Sequence, residues 1–341
     1  MKMCRFISMV ICVCLLLTAC GTEETQIFAY QYGNMQQSAP SGNFMRYNDS
    51  VFFTAFGDDR DNLYVYDVES GDVSLFCQDP TCLHDTDECA SRGLNCNLEQ
   101  YEGKLYGSNS DGPVMQLQGG RFQPLSEDGV NHFFHYDGDL YVQTLDYSLL
   151  VYENGKSRPR MVLEEFAGQW ETIFDGYLYF YESSNVNRIN LEEDDAEREI
   201  LLENCLYMTD GIHIYYTPMD TYYLYRCNMD GSEPALIVEQ PILIKWSNFD
   251  DEYVYFRLYP NMELEGEGSN QLYRFPKANP TQTELIAELD VPIGCVYTVP
   301  EFDGIFIDTY EPLKDDGTRS GFIYTVGKDG NHLTKLELPQ I

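Results

Sequence analysis

One short phrase recurs along almost the whole chain and constrains its fold more than any other feature. It reads "NDSVFF" at 48–53, "YEGKLYG" at 101–107, "YDGDLYV" at 136–142, "FDGYLYF" at 174–180, "TDGIHIYY" at 209–216, "FDDEYVYF" at 249–256 and "FDGIFI" at 302–307. Each copy puts an acidic residue at a turn, usually followed by Gly, and leads into an aromatic-rich run. Asp and Gly tolerate the positive φ of a tight hairpin, and Tyr, Val, Ile and Phe suit a pleated, half-buried strand. The acidic markers stand at 49, 102, 137, 175, 210, 250 and 303, spaced by 53, 35, 38, 35, 40 and 53 residues. A second phrase follows in nearly every interval, as in "NLYVYDVESGD" (62–72), "SLLVYENGK" (148–156), "YLYRCNMDGSE" (223–233), "QLYRFPKAN" (271–279) and "FIYTVGKDGN" (322–331), and an apolar stretch such as "PALIVE" or "TELIAEL" closes each unit. Repeats of about 40 residues with several short strands each are the pattern of a β-propeller, whose four-stranded blades surround a central channel. The expected fold is all-β, a single propeller over 27–341 with seven blades, or six if the first or last unit is irregular.

The two long intervals mark elaborations. The first holds a Cys-rich insertion in the first blade, and the last holds an acidic loop, "LYPNMELEGEGSNQ". The stretch ahead of the first marker is too short for a domain. Part of it is expected to add a strand to the last blade and close the ring, which protects open sheet edges.

The string "LYRCNMDGSEPALI" resembles the blade signature of the low-density-lipoprotein-receptor YWTD type and of its relatives among bacterial surface propellers. The resemblance extends over essentially all of 27–341 as an architectural pattern. The tetrapeptide Tyr-Trp-Thr-Asp is absent and the chain has only two Trp residues. The resemblance therefore implies a fold and carries no receptor function.

The N-terminus, "MKMCRFISMVICVCLLLTACG", places Lys2 and Arg5 ahead of an apolar run from Phe6 to Leu17. That run is too short to span a bilayer stably, and its basic start fits an export signal. Leu17-Thr18-Ala19-Cys20-Gly21 resembles the lipobox of bacterial lipoproteins, which implies cleavage before Cys20 and diacylglyceryl attachment to its thiol. The expectation is a signal peptide over 1–19, a lipid-anchored tether over 20–26, and a propeller held at the extracytoplasmic face of the cell membrane.

The charge balance fits an outward-facing protein. The chain has 21 Lys+Arg against 56 Asp+Glu, and without Lys2 and Arg5 the balance is 19 against 56. Such a surface repels nucleic acid and anionic lipid headgroups, so no nucleic-acid partner is expected, and it attracts divalent cations or basic partners. Disorder is excluded by 43% hydrophobic and 14% aromatic residues.

The insertion reads Cys77-x4-Cys82-x-His84-x4-Cys89, with Cys96 beyond it. Three thiolates and an imidazole within a short loop make a tetrahedral set for a structural zinc. Outside the cell a disulfide is the rival, favoured by compartment. Beyond Cys20 there are seven cysteines, Cys77, Cys82, Cys89, Cys96, Cys205, Cys227 and Cys295. Seven cannot all pair, whereas three metal ligands leave four for two bridges. Reduced or redox-active thiols are the third reading. The "C…PxCxH…C" string is similar to one in other Gram-positive propeller lipoproteins, where the histidine accompanies the cysteines.

Motifs for catalysis are missing: no G-x-S-x-G elbow, H-E-x-x-H helix, Walker loop or G-x-G-x-x-G. The acidic pair Asp250/Asp251 and the run 192–195 read as solvated turns. His132, His135 and His213 are isolated and read as core or surface histidines. Trp170 and Trp246 precede the turn phrase by five and four residues, which puts them on the innermost strands or their rim. There they either stack on sugars or peptides or pack between blades. The expected function is a non-catalytic binding platform for a glycan, peptide or protein. The alternative is a polysaccharide hydrolase or lyase with carboxylates at the channel mouth.

Overall fold

The computed structural model describes residues 44–339 except 57–60, 78, 85, 87–88, 93–95, 110–111, 126–127, 155, 157, 194–196, 260–268 and 310–320. Cys20, the signal segment 1–19 and the tether 20–26 lie outside the described residues. Among the described residues the chain forms 28 strands in seven antiparallel four-stranded sheets, with two single-turn 3-10 helices, Ala90–Arg92 and Ile244–Trp246. The sheets follow one another along the chain as blades 1 to 7, spanning 44–75, 96–124, 130–163, 169–202, 205–241, 248–288 and 293–335. This is the seven-bladed propeller expected from the repeat.

The first strand of each blade is innermost. In blades 5 and 7 the first strands, Cys205–Thr209 and Ile293–Thr298, are buried at every position, whereas the fourth strand of blade 7, Thr334–Lys335, is exposed. The recurring acidic phrase forms the turn from first to second strand. In blades 2, 3 and 4 this is a two-residue connection with both φ positive: Glu102 and Gly103 at 47° and 72°, Asp137 and Gly138 at 48° and 87°, Asp175 and Gly176 at 49° and 76°. That conformation matches the right-handed twist of the flanking strands, and Gly takes its second position without steric cost.

In blades 5 and 6 the acidic residue works differently. Asp210 Oδ1 accepts hydrogen bonds from the amides of Ile212 (3.0 Å) and His213 (2.8 Å), and Asp250 Oδ1 from Glu252 and Tyr253 (both 2.8 Å). Each carboxylate thereby caps its own turn and turns its second oxygen toward the next blade. Asp250 corrects the expectation of a solvated acidic pair: it is buried, while Asp251 is exposed.

The ring closes through packing between blades 7 and 1. Phe44 on the first strand of blade 1 stacks on Phe53 (4.9 Å between centroids) and reaches Tyr297 (4.5 Å) and Phe306 (4.8 Å) of blade 7. Burying one such side chain stabilises by roughly 1.5–3 kcal/mol. All four strands of blade 7 come from 293–335, and the N-terminal segment expected to contribute a closing strand lies outside the described residues.

Candidate metal centre

The strand order fixes where the loops lie. Turns from first to second strand share one face of the ring. Loops from second to third strand, and links from each fourth strand to the next blade, share the other. The segment 76–95, which links blade 1 to blade 2, crosses this second face and carries the Cys/His cluster.

Local chemistry shapes the segment. Phe76 wedges between Phe52 of blade 1 and Phe122 of blade 2, at 5.8 Å from each. Asp79-Pro80-Thr81-Cys82 then makes a tight turn, closed by the Cys82 amide donating to the Asp79 carbonyl (3.1 Å), with Pro in the second position that its fixed φ suits. Asp79 Oδ1 accepts from the Thr81 amide (2.9 Å) and hydroxyl (2.7 Å), and these bonds hold its carboxyl below the usual range. His84 adopts a left-handed φ of 56°, which reverses the backbone and lets its amide donate to Cys82 Sγ (3.4 Å). The 3-10 turn Ala90–Arg92 follows, its last amide donating to the Cys89 carbonyl (3.0 Å).

The result is convergence. One ligand atom from each of Cys77, Cys82, His84 and Cys89 lies within 4.8 Å of all the others. A tetrahedral zinc with Zn–S near 2.3 Å separates its sulfurs by about 3.8 Å, so the donors need to close by only about 1 Å to grip an ion. His84 Nδ1 is 3.2 Å from Cys89 Sγ, and the Ser91 hydroxyl is 3.0 Å from the same sulfur. All three thiols are unbridged. The residues therefore fit zinc in number, type and spacing, and the His84 amide and Ser91 hydroxyl supply the outer hydrogen bonds that thiolate ligands need.

Electrostatics separates Cys89 from Cys82 and from the core cysteines. Burial pushes the Cys89 thiol up, but the Ser91 and His84 hydrogen bonds outweigh it and bring the thiol down to about 6. At Cys82 the His84 amide favours the thiolate, but burial and the Cys89 and Cys77 thiols prevail and raise it. Burial pushes Cys205 up to about 12 and Cys227 up to about 11. Cys89 is thus a readier thiolate than Cys82, while burial keeps the core cysteines Cys205 and Cys227 of blade 5 protonated.

The two tryptophans belong to the same face. Trp170 lies in a bulge at the start of the innermost strand of blade 4, where the register shifts between Gln169 and Thr172; its side chain is outside the described residues. Trp246 ends the 3-10 turn between blades 5 and 6 and is half-buried. The Arg257 guanidinium lies 4.5 Å from its ring centroid, Tyr259 5.9 Å away, and the ring packs on the core shared by blades 7 and 1. The cluster and Trp246 are thus brought to one face, at different blade junctions.

The buried carboxylates were not legible as a set. Glu99 takes the His135 amide (2.8 Å) and Nδ1 (2.7 Å), and the His135 ring stacks on Tyr101 at 4.6 Å. His135 is thus the core histidine expected, with a partner the sequence did not reveal. Asp308 accepts the Cys295 amide and faces the Tyr297 hydroxyl at 3.4 Å. Burial pushes its carboxyl up to about 7 despite the nearby Arg257. Ser91 was also missed, because a serine after a cysteine gives no signal until the turn brings its hydroxyl back.

No protein-family model matches the chain, and no curated protein matches it in sequence. Among solved structures it is similar to a puromycin-hydrolyzing peptidase of Mycobacterium tuberculosis, with TM-score 0.57 and 12% identity over 92% of this chain and 54% of that one. It is similar also to dihydro-heme d1 dehydrogenase NirN in complex with DHE, with TM-score 0.53 and 12% identity over 88% of this chain and 66% of that one. This chain thus spans 54% of the first and 66% of the second. At such identity the likeness is one of fold, and it supports the propeller alone.

Proposed function

We propose that this chain is a lipoprotein, anchored through Cys20 at the extracytoplasmic face of the membrane, whose propeller is a non-catalytic binding platform stiffened by a structural zinc on Cys77, Cys82, His84 and Cys89. One observation carries the non-catalytic part: each buried carboxylate among the described residues already has a structural task. Glu99 holds His135, Asp210 holds Lys277, Asp250 holds Lys328, and Asp308 holds the Cys295 amide. A glycoside hydrolase needs two carboxyl groups flanking one bond, one of them a protonated acid. Asp146, which shares a cavity mouth with Asp128, is held below the usual range by the Thr144 hydroxyl and does not fit the acid's part. Asp308 has the raised pKa of a general acid, but it is 2% exposed and faces a backbone amide and a tyrosine, so a sugar oxygen does not reach it.

The anchor reading rests on Leu17-Thr18-Ala19-Cys20-Gly21, and Cys20→Ala is expected to release the protein from the membrane fraction. Retention in the membrane overturns it. The ligand of the platform is a glycan, peptide or protein, with Trp246 and Trp170 as aromatic contacts. Screening glycan and peptide arrays with the native protein tests this: saturable binding without turnover supports the platform, and release of cleaved product supports the hydrolase or lyase.

A further inference from the structure

Between blades 2 and 3, on the face that carries the Cys/His cluster, lies a cavity of about 390 Å3. Between the two blades it is bounded by Leu125, Asp128 and Gly129 and by Leu145 and Asp146 of the second-to-third-strand loop of blade 3. Its floor is aliphatic, with Val114, Val130 and Val142 buried and Leu150 half-buried. Its rim is different: Asp128 and Asp146 are exposed there, beside Leu125 and Leu145, which are 47% and 45% exposed. No Lys or Arg lines it among the described residues.

The rim charge of Asp146 is fixed in place. Asp146 accepts a hydrogen bond from the Thr144 hydroxyl, which holds its carboxyl below the usual range. The turn that carries it is closed by the Thr144 amide on the Ser148 carbonyl (2.9 Å). Asp128 is close enough to Tyr152 of the cavity wall to add to the effect of burial in raising its phenol. Apolar floors of this size with a few convergent polar groups are the usual form of a ligand pocket. Two carboxylates and no cation at the mouth select a positive partner, and the chain's net charge of −35 attracts one from a distance.

We propose that this cavity receives a cationic peptide segment: an aliphatic side chain fills the floor, and flanking Lys or Arg side chains meet Asp128 and Asp146. The proposal rests on the binding-platform reading and names its ligand class.

The test is calorimetric titration of the full chain with acetyl-Lys-Leu-Lys-amide, with acetyl-Glu-Leu-Glu-amide and acetyl-Lys-Gly-Lys-amide as controls. The first peptide is expected to bind about tenfold more tightly than either control and to weaken as salt rises. Asp128→Asn with Asp146→Asn is expected to reduce its affinity about tenfold and to flatten the salt dependence. Leu150→Trp, which fills the floor, is expected to abolish binding. If the tryptophan variant does not fold, the asparagine pair, which changes charge and not volume, decides. Equal binding of the three peptides, no saturable binding of the first, or unchanged affinity in the asparagine pair overturns the proposal. So does a self-association that Leu150→Trp removes, since the occupant is then a second copy. Array ligands that persist in the Leu150→Trp protein remove this pocket and leave the platform standing, whereas an array without ligands removes the platform itself.

Discussion

Lys328 of blade 7 donates to Asp250 of blade 6 at 2.9 Å, repeating one junction further on the contact that Lys277 makes with Asp210 at 3.1 Å. Both lysines are the first residue after the third strand of their blade, and both carry a carbonyl that accepts from an arginine of the previous blade, Arg226 on Lys277 (3.0 Å) and Arg274 on Lys328. Blades 5, 6 and 7 are thus bolted at equivalent points by a buried carboxylate, a lysine and an arginine.

Removing one partner of such a bolt leaves the others desolvated. Asp250→Ala strands the Tyr255 hydroxyl (2.8 Å), two turn amides and Lys328, and is expected to cost about 3 kcal/mol in urea unfolding. Lys328→Met is expected to cost less, since the lysine side chain is 30% exposed and that of Asp250 2%. Burial raises the Asp250 carboxyl, but Lys328 and the turn amides outweigh it and hold it below its ordinary value. Its contribution is therefore present above about pH 4 and is lost in acid as pH falls through the depressed folded value. An Asp250→Ala protein as stable as the wild type at pH 7 contradicts the bolt.

Asp308 has the opposite sign. With its carboxyl pushed up to about 7 by burial, the folded state keeps a proton that the unfolded chain releases near pH 4. Stability from this group is greatest below pH 4, falls as pH rises toward about 7, and is flat above it, a change of at most about 4 kcal/mol. Asp308→Asn is expected to remove this slope, so the difference between urea midpoints at pH 5 and pH 8 shrinks relative to wild type. An unchanged difference assigns the slope to other groups.

Ring closure by packing is tested at Phe44. It is 1% exposed among Phe53, Tyr297 and Phe306, and Phe44→Ala is expected to cost about 3–5 kcal/mol. Protease cleavage is expected to increase first in blades 1 and 7, mapped by mass spectrometry. Cleavage that begins in blades 3 to 5 contradicts closure at this junction.

Metal capture is expected to depend on pH with a definite sign. Zinc needs thiolates, and the Cys89 thiol at about 6 is brought down by Ser91 and His84 against the effect of burial. Affinity is therefore expected to fall with pH already in the neutral range, where the raised Cys82 thiol holds its proton, and more steeply below about pH 6 as Cys89 takes one too. Ser91→Ala is expected to move that fall to higher pH, read by competition with a chromogenic chelator. An identical pH profile in the variant contradicts the role of the Ser91 hydroxyl.

The blades and their number were legible because the acidic turn phrase repeats once per blade and is followed by an alternating strand. The convergence of Cys77, Cys82, His84 and Cys89 was legible because they lie within thirteen residues, so chain connectivity alone keeps them close. Contacts between blades were not. Asp250 and Lys328 are distant in sequence, and an aspartate that caps its turn with one oxygen and bolts a neighbour with the other looks the same in sequence as one facing water. Laying the blades in register exposes a lysine after the third strand in blades 6 and 7 and a methionine, Met229, at that place in blade 5. The cavity between blades 2 and 3 had no signal at all, because its walls come from separate strands whose valines and leucines read as ordinary core.

Zinc content measured on protein purified without chelator, with thiol titration of the same sample after denaturation, tests the central claim most directly. We expect about one zinc per chain, lost in Cys89→Ser and in Cys82→Ser and retained in Cys205→Ser, with Cys77, Cys82 and Cys89 all titrating as free thiols once the metal is removed. Protein without metal, in which none of these three cysteines titrates, contradicts the zinc centre and makes the cluster a disulfide staple.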